Sequence, residues 1–146
     1  MSYDQIDTIA DAYIPALVIV SIVILVRDTL KGGLSKTRRK FTILISCSAF
    51  AYGVMFLDKW FSLWPAVGLD YSTHTAVAWV FVVFIFNQTT TEKKINLRQT
   101  AIVLSMGVYA VLMLYQGYHT GLDVFSTSLV VIPAFVFLHH ANRRLI

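Results

Sequence analysis

The sequence predicts an all-α integral membrane protein, a single bundle of five transmembrane helices. Two observations predict this class. Apolar residues make up 57% of the 146-residue chain and charged residues only 14%, whereas a soluble domain carries about 25% charged residues. Such a chain cannot cover its apolar surface with polar side chains, so we expect a bilayer to surround it. The charged residues are also confined to short stretches between five apolar runs.

These five runs define the predicted helices of one domain, residues 1–146. A helix needs about 20 apolar residues to span a bilayer. The third and fifth runs are shorter, and they reach that length only if the polar stretches before them lie partly at membrane depth. Polar groups at that depth are costly and usually functional. The predicted helices cover about residues 9–26, 41–57, 72–87, 100–117 and 121–138.

Local signals mark the ends of these helices. Residues 1–11 contain three Asp and no Lys or Arg, which predicts a retained first helix rather than a cleaved signal peptide. Gly32 and Gly33 predict a turn before the second helix. Ser72 or Thr73 can cap the third. The fourth follows a basic stretch, and the fifth is expected to begin near His119.

The basic residues predict how the helices are oriented. Eleven of the twelve Lys and Arg fall in clusters at 27–40, 93–98 and 143–144, and basic loops stay on the cytoplasmic side of a membrane. We therefore expect the N-terminus outside and the C-terminus in the cytoplasm, and the small size favours a bacterial inner membrane. The net charge of +4 is interpreted as this signal, not as nucleic-acid binding. The remaining basic residue, Lys59, then faces the periplasm or exterior.

His119 and Asp123 form a candidate catalytic pair on that outer face. Their four-residue spacing places them on one side of a helix. A hydrogen bond from one imidazole nitrogen to the carboxylate would leave the other nitrogen available as a base or nucleophile. The plainer alternative is a histidine at a helix start with a carboxylate nearby.

A second group of polar residues is expected on the same face. His74 lies at the start of the third helix, where backbone amides and the helix dipole favour an anion. Ser72 and Thr73 add hydroxyl donors, and Lys59 could neutralise the anion. The alternatives are a serine or threonine cap with His74 as an interfacial residue, and a lysine that extends to the interface and pairs with Asp58.

Two histidines, hydroxyls and a lysine suit phosphoryl transfer without a metal or another cofactor. One histidine attacks phosphorus and the other protonates the leaving oxygen. A zinc site made from His74, His119 and Asp123 is conceivable, but it would leave the hydroxyls and the lysine unexplained. Cys47 is the only cysteine, which excludes an intramolecular disulfide and a cysteine-based zinc site.

These stretches resemble the type 2 phosphatidic acid phosphatase (lipid phosphate phosphatase) superfamily. Residues 115–124, Tyr-x-Gly-x-His-x-x-x-Asp-Val, resemble its third signature, and residues 72–76, Ser-Thr-His-Thr-Ala, resemble its Pro-Ser-Gly-His signature. Lys59 matches the lysine of its first signature. The resemblance covers about residues 41–138 and leaves five helices where the family usually has six.

The resemblance implies a role for each matching residue. His119 would be the nucleophile, Asp123 would orient it, and His74 would be the general acid. Lys59 and Ser72 would hold the phosphate, with Thr73 at the position of the family's glycine.

Two phosphate-binding arginines of the family are missing. Ala66 and Met113 stand at their positions. Residues 70–75 and 119–124 also resemble the sphingomyelin-synthase-like branch, which lacks these arginines and moves a phospho-head-group between lipids. The resemblance therefore implies a phosphotransferase or phosphodiester-cleaving enzyme as readily as a phosphatase.

The sequence thus predicts a membrane lipid phosphatase or phosphotransferase that acts at the outer face through a phosphohistidine. Its partners would be membrane lipids, with a lipid phosphate or phosphodiester as substrate. The alternative is an inactive relative that serves as a small scaffold or subunit, as a homo-oligomer or in a larger membrane complex. A transporter or channel subunit is less favoured, because the ionisable residues gather at one face.

Overall fold

The computed structural model describes residues 3–88 and 95–144, and it describes Lys36, Arg143 and Arg144 by their backbone alone. Lys93 and Lys94, part of the second predicted basic cluster, lie outside these ranges. Within the described ranges the regular structure is entirely helical, which confirms the all-α part of the prediction. The helices are α1 (Tyr3–Gly32), α2 (Leu34–Phe61), α3 (Thr73–Gln88), α4 (Leu97–Tyr115) and α5 (Gly121–Arg144), with a short 3-10 turn at Pro65–Val67.

Four of the five helices are long and apolar enough to cross a membrane. These are α1, α2, α4 and α5, whereas α3 is a shorter apolar helix of 16 residues. Of the polar stretch before α3, only Thr73 and His74 join the helix. At a rise of about 1.5 Å per residue, α3 is about 24 Å long, against about 30 Å for the hydrocarbon core of a bilayer.

The first two helices extend well beyond the apolar runs that predict them. The expected loop at 27–40 is helical except at Gly33, whose φ of +79° separates α1 from α2. Lys and Arg are good helix formers, so a helix continues after its apolar residues end. An apolar run therefore marks the part of a helix that suits lipid, not the point at which the helix stops.

Helix α3 lies at the centre of the bundle. It packs against each of the other four helices, while α1 also packs against α2 and α4, and α2 against α5. The outer helices therefore surround α3 in the order α4, α1, α2, α5. Among the described residues, α4 and α5 do not form a comparable packed pair. The buried residues of α3 lie on several sides of the helix and include Ala76, Ala78, Val80 and Val82; small side chains such as the two alanines let neighbouring helices approach closely.

The alternation of the helices separates acidic and basic residues at opposite ends of the bundle. We call the end with Asp58, Asp70 and Asp123 the acidic end; α1, α3 and α5 begin there, and α2 and α4 end there. Hydrogen bonds across this end join Trp64 Nε1 to Ser126 Oγ at 3.0 Å and the Asp70 amide to Asp123 at 2.8 Å. The other end carries the start of α2, where Lys40 forms an ion pair with Asp28 of α1.

Candidate functional site

A polar cleft of about 410 Å³ opens at the acidic end. It lies where the end of α2, the start of α3 and the connection between α4 and α5 meet. Four of the six predicted site residues line it, namely Lys59, Thr73, His74 and His119, whereas Ser72 and Asp123 do not. The lining residues are Met55, Asp58, Lys59, Asp70, Tyr71, Thr73, His74 and His119.

The end of α2 supplies a carboxylate and an ammonium group to the cleft. Asp58 is buried, and its Oδ1 accepts a hydrogen bond from the Trp64 amide at 2.7 Å. Its backbone oxygen accepts from Ser62, the left-handed residue that ends the helix. Lys59 is exposed, and no ion pair joins it to Asp58 in the part of the chain that the structure describes. The lysine ammonium is therefore free to face a ligand.

Ser72 caps the start of α3. Its Oγ accepts from the Thr75 amide at 3.3 Å and donates to Thr75 Oγ1 at 2.8 Å, and its own amide donates to Thr127 at 3.0 Å. Ser72 is 0% exposed and does not line the cleft. Ser72 is therefore the cap of α3, which was one of the two roles that the sequence allowed for it; the other was a hydroxyl donor to an anion.

The start of α3 keeps one backbone donor available. The Thr73 amide donates to the Tyr71 carbonyl, and the Thr75 amide to Ser72. Of the first three amides of α3, only that of His74 lacks an acceptor within the described ranges. The His74 side chain is exposed at the cleft. A helix start with a free amide and an exposed imidazole is suited to an anion.

His119 contacts Asp70 rather than the carboxylate that the sequence predicts for it. Its Nδ1 lies 3.4 Å from Asp70 Oδ2, an ion-pair distance without the geometry of a hydrogen bond. The His119 side chain is 10% exposed and that of Asp70 is 69% exposed. With Nδ1 directed at Asp70, Nε2 is the nitrogen left for a substrate.

Asp123 completes a capping box at the start of α5. Its Oδ2 accepts from the Thr120 amide at 2.8 Å and from Thr120 Oγ1 at 2.7 Å, and the Asp123 amide donates back to Thr120 Oγ1. Its Oδ1 accepts from the Asp70 amide. Asp123 is 5% exposed. The described hydrogen bonds to the Asp123 carboxylate thus come from Thr120 and Asp70. They hold in place the backbone next to His119 and the backbone of Asp70.

A second hydrogen-bonded group holds the connection that carries His119. Asp7 of α1 accepts from Gln116 Nε2 at 2.6 Å and from the Tyr118 hydroxyl at 2.9 Å. The hydrogen bond to the Asp7 carboxylate raises the pKa of Tyr118 above its usual value. Gly117, with φ of +72°, lets the chain turn between these two residues. Helix α1 therefore helps to place His119.

Tyr71 closes the inner side of the cleft. Its hydroxyl donates to the Ala51 carbonyl at 3.0 Å, and its ring packs edge-on against Trp64 at 4.9 Å between centroids. Burial, and then the nearby Asp58 carboxylate, raise the pKa of this phenol. Tyr71 is thus a neutral hydrogen-bond donor that connects the α3 start to α2.

The two residues that stand where the resembled superfamily has arginines lie outside the cleft lining. Met113 is 2% exposed and belongs to the apolar core between α1, α3 and α4. Ala66 is in the short 3-10 turn. Among the described residues, no three His, Cys, Asp or Glu side chains gather as metal ligands would.

Sequence reasoning missed two residues of this site. The Asp70 contact with His119 joins positions 49 apart and has no local signal. Thr120 could have been predicted, because Thr-x-x-Asp before an apolar run is a capping-box pattern.

Comparisons of the chain with protein-family models, curated proteins and solved structures find no match.

Proposed function

We propose that this protein transfers or releases a phospho-head-group of a membrane lipid at the outer membrane face, through a phosphohistidine on His119. The observation that carries the proposal is the shared cleft: His119, His74 and Lys59 line one opening at one end of an apolar helical bundle. The distribution of basic residues supports an outer position for that end, and we take the membrane to be a bacterial inner membrane.

The first step follows from the position of His119. Its Nε2 attacks phosphorus while the Asp70 carboxylate, 3.4 Å from Nδ1, stabilises the imidazolium charge that develops. The N–P bond forms as the P–O bond to the leaving alcohol breaks. His74 donates the proton that the departing oxygen needs.

The second step reverses these roles. An acceptor alcohol or water attacks the phosphorus, and His74 takes its proton. The N–P bond then breaks and restores His119. Lys59 and the free His74 amide bind the phosphoryl oxygens throughout. Asp123 acts in this scheme by holding the His119 segment and the Asp70 backbone in place.

The charges that line the cleft favour a phosphodiester over a phosphomonoester. With His74 protonated for its role as general acid, its charge and that of Lys59 only balance the carboxylates of Asp58 and Asp70, so the lining has no net positive charge to hold a doubly charged group. A monoester brings a charge of about −1.5 to −2 at pH 7, whereas a diester brings one negative charge per phosphate. The absence of arginine at Ala66 and Met113 points the same way, because a bidentate arginine is the strongest phosphate ligand.

The test is a release assay on the purified protein in lipid vesicles. A panel of lipid phosphomonoesters and phosphodiesters is offered with and without an added acceptor alcohol. The variant His119→Ala is measured beside Arg98→Ala, which changes a basic residue at the other end of the bundle. We expect release of a diester head group that disappears in His119→Ala and persists in Arg98→Ala. An acid-labile phosphoprotein should form when the wild-type protein meets its substrate, and it should be absent from His119→Ala. Full activity in His119→Ala would refute the proposal.

One observation favours a non-catalytic alternative. Ser72 and Asp123, two of the predicted site residues, have complete structural roles as helix caps. A scaffold or subunit on this fold would retain them without any chemistry. It predicts no release from any lipid by the folded protein, together with stable co-purification of a larger membrane partner.

A further inference from the structure

An apolar groove of about 210 Å³ lies between α4 and α5, on the side of the bundle where these two helices do not pack together. Trp79 of the central helix α3 forms its floor. Gly107 and Ala110 of α4 line one wall, and Val124 and Ser128 of α5 line the other. The groove is thus the open place in the ring of helices around α3.

The polar groups in the groove are already paired with each other. Trp79 Nε1 donates to Ser128 Oγ at 2.9 Å, and that hydroxyl donates to the Val124 carbonyl at 2.7 Å. Water in the groove would find few partners, and apolar cavities of comparable size stay dry and take up apolar molecules.

The depth of the groove selects hydrocarbon as its occupant. Trp79 is six residues into α3 from Thr73, about 9 Å along the helix axis, and the lining residues of α4 and α5 belong to segments long and apolar enough to span a membrane. At that depth the surrounding medium is the acyl chains of the bilayer. A Cβ atom built on Gly107 would meet no atom within 4 Å, so the wall is open where a chain would lie.

We infer that this groove binds one acyl chain of a bilayer phospholipid, held against Trp79 between α4 and α5. The inference goes beyond the proposed function, since it requires no reaction at His119. It also gives a substrate or a structural lipid a fixed place beside the connection that carries His119.

Quenching of Trp79 fluorescence by brominated lipid tests this binding. The protein is placed in phosphatidylcholine vesicles with bromine at the middle of the acyl chains, with unbrominated vesicles as the reference. The Trp79 contribution is the difference between each protein and its Trp79→Phe counterpart. We expect strong quenching of Trp79, and stronger quenching by mid-chain bromine than by bromine near the head group.

Filling the groove provides the decisive comparison. Gly107→Leu places a side chain where the acyl chain would lie, and we expect it to remove most of the Trp79 quenching. Gly53→Leu on α2 is the matched control, because Gly53 also has open space around its Cα but lies outside the groove; its quenching should equal that of the wild type. Ala110→Leu serves as a second groove-filling variant if Gly107→Leu does not fold by circular dichroism.

Three results would overturn the inference. Weak quenching of Trp79 in the wild type would mean that protein, from the helices themselves or a second copy, fills the groove. Unchanged quenching in both groove-filling variants would mean that lipid reaches Trp79 by another route. An equal loss in Gly53→Leu would mean that the effect is a general change in packing. None of these results depends on turnover, so the release assay can fail or succeed independently.

Discussion

Replacing Asp123 by alanine should destabilise the protein, because this carboxylate joins α5 to the segment before α3. It accepts from Thr120 twice and from the Asp70 amide once, and it is 5% exposed. The matched change is Asp70→Ala. It removes the carboxylate beside His119 but keeps the Asp70 amide that donates to Asp123.

The magnitude follows from those three hydrogen bonds. Loss of a helix cap costs about 1 kcal/mol, and the exposed Thr120 donors can be hydrated afterwards. The part-buried Asp70 amide is left without its acceptor, at about 1–3 kcal/mol. Asp123→Ala should therefore lower the free energy of unfolding by about 2–4 kcal/mol. Asp70→Ala should change the free energy of unfolding by no more than about 0.5 kcal/mol, because the side chain that it removes is 69% exposed.

Thermal unfolding of both variants in one detergent, followed by far-UV circular dichroism, measures this difference. At about 3 °C per kcal/mol for a domain of this size, Asp123→Ala should lower the apparent Tm by roughly 6–12 °C. The release assay on Asp70→Ala then separates function from stability: activity should fall while Tm holds. An unchanged Tm in Asp123→Ala would refute the capping argument. Full activity in Asp70→Ala would refute the role given to its carboxylate.

Two tyrosines allow further predictions. Tyr118 should ionise above its usual pKa because it donates to Asp7, and Asp7→Asn should lower that value in a tyrosinate absorbance titration. The folded state favours the neutral phenol, so this hydrogen bond stabilises the fold below about pH 10 and its contribution is lost as pH rises through the higher folded pKa. A Tyr118 that titrates identically in both proteins would contradict the contact. Tyr71→Phe should lower the free energy of unfolding by about 1 kcal/mol, because it removes the buried hydrogen bond to Ala51; equal denaturation midpoints would show that the bond contributes nothing.

The bundle could be predicted from the sequence because its signals are long and local. Five apolar runs and the clustered charges require alternating helices, and alternation alone gathers Lys59, His74 and His119 at one end. The ends of α1 and α2 were less predictable. Residues 27–40 are charged, and charge shows where lipid stops, not where a helix stops.

The internal geometry of the site depends on contacts that no local pattern contains. His119 and Asp123 have the right spacing for a pair, but Thr120 lies closer along the chain and takes the carboxylate into a cap. Asp70 reaches His119 only because α3 and α5 pack side by side. A spacing of four residues brings two side chains to one face only inside a helix, and α5 begins at Gly121, so His119 lies before the helix whose first turn holds Asp123.

The short central helix has a consequence for the membrane around it. If α3 spans the bilayer with its neighbours, it is about 6 Å shorter than an average hydrocarbon core, so either the bilayer thins around it or backbone next to one of its ends lies within the nonpolar layer. Residues 62–72 suit that position, since internal hydrogen bonds satisfy the amides of Trp64, Val67, Gly68 and Leu69. A thicker bilayer would submerge the cleft further, and a thinner one would bring it to the water. Lipid composition would thereby control which molecules reach His119, with no change in the protein itself.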